Sequence, residues 1–172
     1  SYLANSNNQV GLVISASHNL FEDNGIKFFD KNGQKFSKDL EKRIEIKLTE
    51  EMIPVDSGDL GKASRMNDPQ GRYIEFCKSS FTSLDLNGLS VLLDCANGAT
   101  YSVAPQVFSE LGANVKTIGA SPDGININQN CGSTNPNLLI NEIKKGEHDI
   151  GIAFDGDGDR ILITTSDGRV LD

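Results

Sequence analysis

The sequence predicts an α/β protein whose mixed and largely parallel sheets are flanked by helices. From residue 89 onward, short apolar runs alternate with helix-period segments at the spacing of parallel βαβ units. Turn residues such as Gly33, Gly112 and Ser166-Asp167-Gly168 punctuate these runs. Hydrophobic residues make up 37% and charged residues 23% of the 172, which fits a folded chain with a core.

Val10–Ile14 is an apolar run after a polar stretch and is expected to be a buried strand. Ile26–Phe29 is a second strand, turned by Lys31-Asn32-Gly33. Ser37 caps a helix with Asp39 in its first turn, and Leu40, Ile44 and Leu48 share one face. Residues 54–66 show no period and read as loop or irregular strand. Asp68-Pro69 reads as N-cap and first position of a helix with Tyr73, Ile74 and Cys77 as its stripe. Then follow a strand at Leu89–Asp94, a helix at Thr100–Leu111 stopped by Gly112, and a strand at Asn114–Ile118. A helix beginning at Asn135-Pro136 carries Leu139 and Ile143; Ile150–Phe154 is the next strand. Ile161–Thr165 and Val170-Leu171 close a hairpin. The domain boundary is placed near residue 67, giving domains 1–67 and 68–172.

Sixteen basic against 24 acidic residues leave a net charge of −8, which speaks against a nucleic-acid partner. Cys77, Cys95 and Cys131 are odd in number, far apart and not paired as CxxC, so they read as reduced thiols. No apolar run approaches the ~20 residues of a membrane helix, and no leader pattern is seen. The expected compartment is the cytoplasm, without a membrane partner. Both ends of the sequence read as cut, which predicts a piece of a longer protein.

Asp155-Gly156-Asp157-Gly158-Asp159-Arg160 is the sharpest feature. Three carboxylates follow a strand at its C-terminal end, where ligands bind in open α/β sheets. Crowded carboxylates repel one another and call for a cation, and their hard oxygens suit Mg²⁺ or Ca²⁺. A calcium EF-hand loop would need Gly and Glu where Arg160 and Ser166 stand. A dinucleotide fingerprint would need Gly at Ile161 and a helix after it. The strand followed by Asp155-x-Asp157 also resembles the haloacid dehalogenase phosphotransferases, which would make Asp155 a nucleophile. Against that stand Asp159, where that family typically has Thr or Val, and a separate nucleophile candidate.

That candidate lies in Ile14-Ser15-Ala16-Ser17-His18-Asn19, again directly after a strand. Small residues around the serine admit a bulky phosphosugar. His18 can hydrogen-bond a phosphoryl oxygen or assist proton transfer. Lys27, in Asp23-Asn24-Gly25-Ile26-Lys27, can stabilise phosphoryl charge or move a hydroxyl proton. By spacing alone an ordinary turn and a solvated lysine stay open.

The serine motif, Asp23–Lys27 and the acidic loop, in this order, resemble the paired signatures of the α-D-phosphohexomutases. Leu93–Thr100 and Pro122–Asn128 add to the resemblance, which covers nearly the whole chain. It implies phosphohexomutase-type domains, with residues 1–67 as the later part of a first domain and 68–172 as a second. It implies that Ser17 is phosphorylated and that Ser15 is structural. Ser17, Asp155, Asp157 and Asp159 would bind Mg²⁺, and Lys27 would be the general acid/base. His18, Arg160 and Asn19 would contact the substrate. Leu20 departs from the proline usual after Ser-His-Asn.

Within that superfamily the wording is nearest to the branch acting on hexosamine phosphates. The implied reaction interconverts glucosamine 6-phosphate and glucosamine 1-phosphate through a 1,6-bisphosphate, feeding UDP-N-acetylglucosamine and peptidoglycan precursors. The family's later domains supply sugar recognition, so this piece alone is expected to turn over little. A dehalogenase-like phosphatase and a non-catalytic metal-binding module are the competing readings.

Overall fold

The computed structural model describes residues 2–81 and 85–171; Ser1 and Asp172, at the ends of the expected leading and closing segments, lie outside them. Two compact units emerge, one of residues 1–13 and 27–69, the other of residues 14–26 and 70–172.

The first unit holds α1 (Tyr2–Ser6), most of β1 (Gly11–Ile14) and β2 (Ile26–Phe29), and α2 (Lys38–Leu48). The strands β1 and β2 form a two-stranded sheet. Helix α1 falls within the segment that the sequence marked only as polar. Ser37 caps α2 as expected, its Oγ accepting from Leu40 N at 3.3 Å. The 54–66 stretch is irregular apart from a single 3₁₀ turn at Ser57–Asp59. Phe28 and Phe36 stack with ring centroids 5.6 Å apart across the turn at Gly33. The buried strand expected at Val10–Ile14 is a correction. Leu12, Val13 and Ile14 are 57%, 40% and 71% exposed, and Ala4 is the unit's one buried apolar residue among those described. A two-stranded sheet has only short flanking segments to cover it and cannot bury both faces.

The second unit is a five-stranded sheet in the order β4-β3-β5-β6-β7, from Asn114–Ile118, Ser90–Asp94, Ile150–Phe154, Ile161–Thr165 and Val170–Leu171. The central strand β3 pairs parallel with β4 and β5; β6 and β7 close an antiparallel edge. Three helices accompany it: α3 (Pro69–Ser79), α4 (Ala104–Glu110) and α5 (Asn137–Ile143). The period-two pattern of β3 splits its side chains between two cores. Val91, Leu93 and Cys95 pack with Ala104 of α4 on one face. Leu92 packs with Leu139 and Ile143 of α5 on the other. A strand covered on both faces is apolar on both, and Val91–Leu93 reads so. Burying each such leucine stabilises the unit by about 1.5–3 kcal/mol.

The helix expected over Thr100–Leu111 is instead a 3₁₀ turn at Ala99–Tyr101 followed by the shorter α4. Pro105 explains the break: it lacks an N–H, and its ring clashes with the preceding turn of any helix running through it.

The connection from β3 leads to β4 on one side, whereas β5 sits on the other side of β3. The loops after β3 and β5 therefore diverge in connection while lying side by side, which is the switch point where open α/β sheets take ligands.

Candidate active site

The loop after β5 is the acidic one. Phe154 ends the strand, and the chain turns through Gly158, whose φ of 74° is left-handed and whose N–H donates to Asp155 O at 3.1 Å. Asp155 is fully buried, Asp157 half-buried and Asp159 exposed, and one carboxylate oxygen from each lies within 4.8 Å of the others. Asp155 Oδ1 accepts the backbone N–H groups of Asp159 and Arg160, both at 3.1 Å, which curls the loop about this side chain. Its Oδ2 is buried with no hydrogen-bond partner among the described residues. An acceptor-only oxygen held out of water beside two more carboxylates is a costly arrangement without a cation. The donor set, all hard oxygen, fits a divalent ion of the Mg²⁺ or Ca²⁺ kind.

The serine loop, 14–26, reaches this loop within the same unit. Ser15 N donates to Gly25 O at 2.9 Å, and a Cβ on Gly25 would stand 2.8 Å from Ser15 O, so only glycine lets the returning strand come this close. Ser15 Oγ accepts from Ser17 N at 3.0 Å and donates to Asp157 Oδ2 at 3.2 Å. Ser17 Oγ donates to Asp157 Oδ1 at 3.3 Å. The hydroxyl and the acids thus meet across 140 residues of sequence.

The other sequence candidates fall as follows. His18 is half-buried, and its Nδ1 has no hydrogen-bond partner among the described residues. Asn19 is exposed; its side chain donates to Asp23 Oδ2 at 2.9 Å. Arg160 is exposed at the end of the acidic loop. Lys27 is half-buried at the second position of β2 and belongs to the first unit. A cleft of about 180 Å³ opens at the serine loop, lined by Ser15, Ser17, Asn19, Phe21 and Ile127 among others.

Sequence reasoning gave no role to three residues that hold these loops. Asp94, fully buried at the end of β3, accepts from Ala96 N at 3.0 Å and from Gly132 N at 2.7 Å. Burial pushes its carboxyl above the usual range, against the pull of those two N–H groups. Gly98 lies against the acidic loop: a Cβ there would come within 2.6 Å of Gly156 Cα. Asn128 donates from Nδ2 to Ser17 O at 3.2 Å and Asn19 O at 2.9 Å. The available signal was a buried strand ending in Asp94-Cys95-Ala96-Asn97-Gly98, since a carboxylate there must find backbone donors.

Comparison with known proteins fixes the family. Residues 71–168 match the model of phosphoglucomutase/phosphomannomutase alpha/beta/alpha domain II, and residues 1–53 match domain I. The chain belongs to the phosphoglucomutase/phosphomannomutase family. It is 57% identical to a phosphoglucosamine mutase of Legionella pneumophila (strain Lens) over 94% of its own length and 36% of that protein. Identity is 56% to the phosphoglucosamine mutase of Psychromonas ingrahamii, with 94% and 37% covered. Among solved structures, a phosphoglucomutase/phosphomannomutase family protein of Burkholderia thailandensis superposes with a TM-score of 0.71 at 26% identity, covering 94% of this chain and 34% of that one. The chain therefore spans just over a third of the length of the relatives it matches. The phosphohexomutase-type α/β expectation holds, including the mixed sheet, which the second unit shows.

Proposed function

We propose that the full-length protein is a phosphoglucosamine mutase, interconverting glucosamine 6-phosphate and glucosamine 1-phosphate through a phosphorylated Ser17 and a 1,6-bisphosphate. The observation that carries this reading is the hydrogen bond from Ser17 Oγ to Asp157 at the mouth of the acid trio. Similarity to the phosphoglucosamine mutases supplies the sugar.

Ser17, Asp155, Asp157 and Asp159 are the residues that would hold Mg²⁺. When bound, the ion neutralises crowded anionic oxygens and polarises the phosphoryl group. Ser17 Oγ carries the phosphoryl group, which passes to a sugar hydroxyl as the P–O bond to Ser17 breaks and the new one forms. Lys27 is the general acid/base, through which the proton lost by the sugar hydroxyl is returned to Ser17 Oγ as it leaves. The second transfer runs in reverse from the other phosphate of the bisphosphate. His18, Asn19 and Arg160 bind the substrate and its phosphoryl oxygens, an Arg suiting bidentate contact. Under this reading Asp155 is a ligand and not a nucleophile. The expected setting is a reducing cytoplasm, consistent with the three free cysteines. We also infer that the 172 residues alone turn over little.

The test is Ser17→Ala in the full-length protein, expected to abolish turnover and to remove a stable phosphate that mass spectrometry places on Ser17. Asp157→Asn is expected to lower the rate and weaken the Mg²⁺ requirement together. Retained turnover in Ser17→Ala, or a labile phosphate on Asp155, overturns the assignment.

A further inference from the structure

The backbone of Ser17 is left-handed, with φ of 60°. For a residue with a Cβ this costs on the order of 1–3 kcal/mol and persists only where the surroundings hold it. The peptide on its N-terminal side is held by Ser15, whose Oγ accepts Ser17 N–H. On the C-terminal side the holder is Asn128. Its Nδ2 donates to the carbonyls of both Ser17 and Asn19, so one amide group grips the turn on either side of His18.

Asn128 is itself rigidly placed. It is 6% exposed, its N–H donates to Ala96 O at 2.8 Å, and its own φ of 57° is one that asparagine tolerates better than most residues. The same Nδ2 lies 2.5 Å from where a Cβ on Gly156 would be, so it also borders the acidic loop. Two carbonyl acceptors fix which end of the amide faces the serine loop, because turning it over would set oxygen against oxygen. The loops after β1 and β5 therefore meet on this side chain, and the residue's backbone N–H ties it to a third loop, after β3.

We propose that Asn128 is a positioning residue that clamps Ser17 in its left-handed conformation and so aims Oγ at the acid trio. The clamp acts on the serine and not on the carboxylates. Its removal is therefore expected to disturb Ser17 while leaving cation binding by Asp155, Asp157 and Asp159 in place. The part concerning catalysis rests on Ser17 as the phosphoryl carrier; the part concerning conformation does not.

The variants are Asn128→Gly, which deletes the amide but keeps positive φ easy, and Asn128→Asp, which keeps the shape but turns two attractions into repulsions. The first readout is the ¹³Cα and ¹³Cβ shift of Ser17 in the 172-residue chain, with a Mg²⁺ titration alongside. Asn128→Gly is expected to move Ser17 out of the left-handed range while Asp155, Asp157 and Asp159 still bind Mg²⁺, with no more than the contribution of the Ser17 oxygen lost. Asn128→Asp is expected to displace Ser17 likewise, since both carbonyls then face a carboxylate oxygen. In the full-length protein, phosphoryl transfer through Ser17 should drop about 10–100-fold, the usual effect of losing a partner that orients a ligand. Wild-type Ser17 shifts in Asn128→Gly overturn the clamp. So does a loss of Mg²⁺ binding by the three carboxylates together with a fall in melting temperature in step with activity, which marks a merely structural role. Absence of mutase activity in the parent protein would remove the Ser17 assignment and leave the NMR result to decide the clamp alone.

Discussion

Gly156→Ala is the most informative single change in the acidic loop. A Cβ at this position would lie 2.5 Å from Asn128 Nδ2, 2.6 Å from Ser17 O and 2.9 Å from Ile127 Cδ1. Comfortable contacts to carbon lie at about 3.5–4.0 Å. Relief thus demands close to 1 Å of movement, and two of the three neighbours are fixed. Ser17 O is backbone, and Asn128 is tied to Ala96 and to the serine loop. Overpacking of this kind typically costs 1–3 kcal/mol. A loss of about 2 kcal/mol lowers the melting temperature of a domain of this size by roughly 5–10 °C. The functional effect should exceed the thermal one, because the displacement falls between the serine and its acids, and ~1 Å at such a place can cost about 100-fold in rate. Calorimetric melting of the 172-residue chain, with phosphoryl transfer assayed in the full-length protein, measures both. Gly158→Ala is the control. Its penalty is a strained φ of 74° and contact with the Thr100 methyl group, not a wedge against the serine loop. Unchanged melting and transfer in Gly156→Ala would show that the two loops do not depend on this close approach.

Amide hydrogen exchange should divide the chain. Amides of β3 and β5, beneath Leu92, Leu93 and Ile152, should be the slowest, whereas those of β1 and α2 should exchange by local opening, since almost nothing apolar is buried around them. Protection in β1 equal to that in β3 would contradict the burial pattern. Alkylation of the folded chain at pH 8 should modify Cys77 alone. Burial pushes the thiols of Cys95 and Cys131 up to about 11, so both stay protonated and unreactive below that pH, and thiolate reactivity appears only as pH rises toward it. Rapid labelling of Cys95 in the folded state would refute this.

The second unit was legible because its sequence and its burial share one period. Strands β3 and β5 are apolar on both faces and lie under helices on both faces, so the apolar run, the helix stripe at Leu139 and Ile143, and the parallel pairing all say the same thing. The first unit was read correctly for α2 and its Ser37 cap, which are local facts. Its β1 was misjudged because an apolar run signals a strand, while burial depends on what covers it. Thr100–Leu111 was misjudged because helical spacing was weighed without the proline in its first half.

The site divides along the same line. Asp155, Asp157 and Asp159 announce themselves by chemistry, as acids crowded on glycines, whereas the choice of Ser17 within its loop of small residues came from the resemblance and not from spacing. Asp94 and Asn128 do not announce themselves, because their work is to accept or donate to backbone groups far away in sequence. Such roles leave no spacing to read. They follow only from knowing which carbonyls and N–H groups the fold leaves without partners where its loops converge. Even the two glycines of the acidic loop serve different ends. Gly158 supplies a left-handed turn that sequence can suggest, and Gly156 supplies an absence of bulk whose need is set entirely by Asn128, Ile127 and Ser17. The electrostatic requirement closes the argument. With Asp155 Oδ2 buried and unpaired among the described residues, two carboxylates within 4.8 Å and a hydroxyl hydrogen-bonded to one of them, each further negative charge placed on Ser17 raises the demand for a cation at this point. Serine phosphorylation and cation affinity should therefore rise together, each strengthening the other.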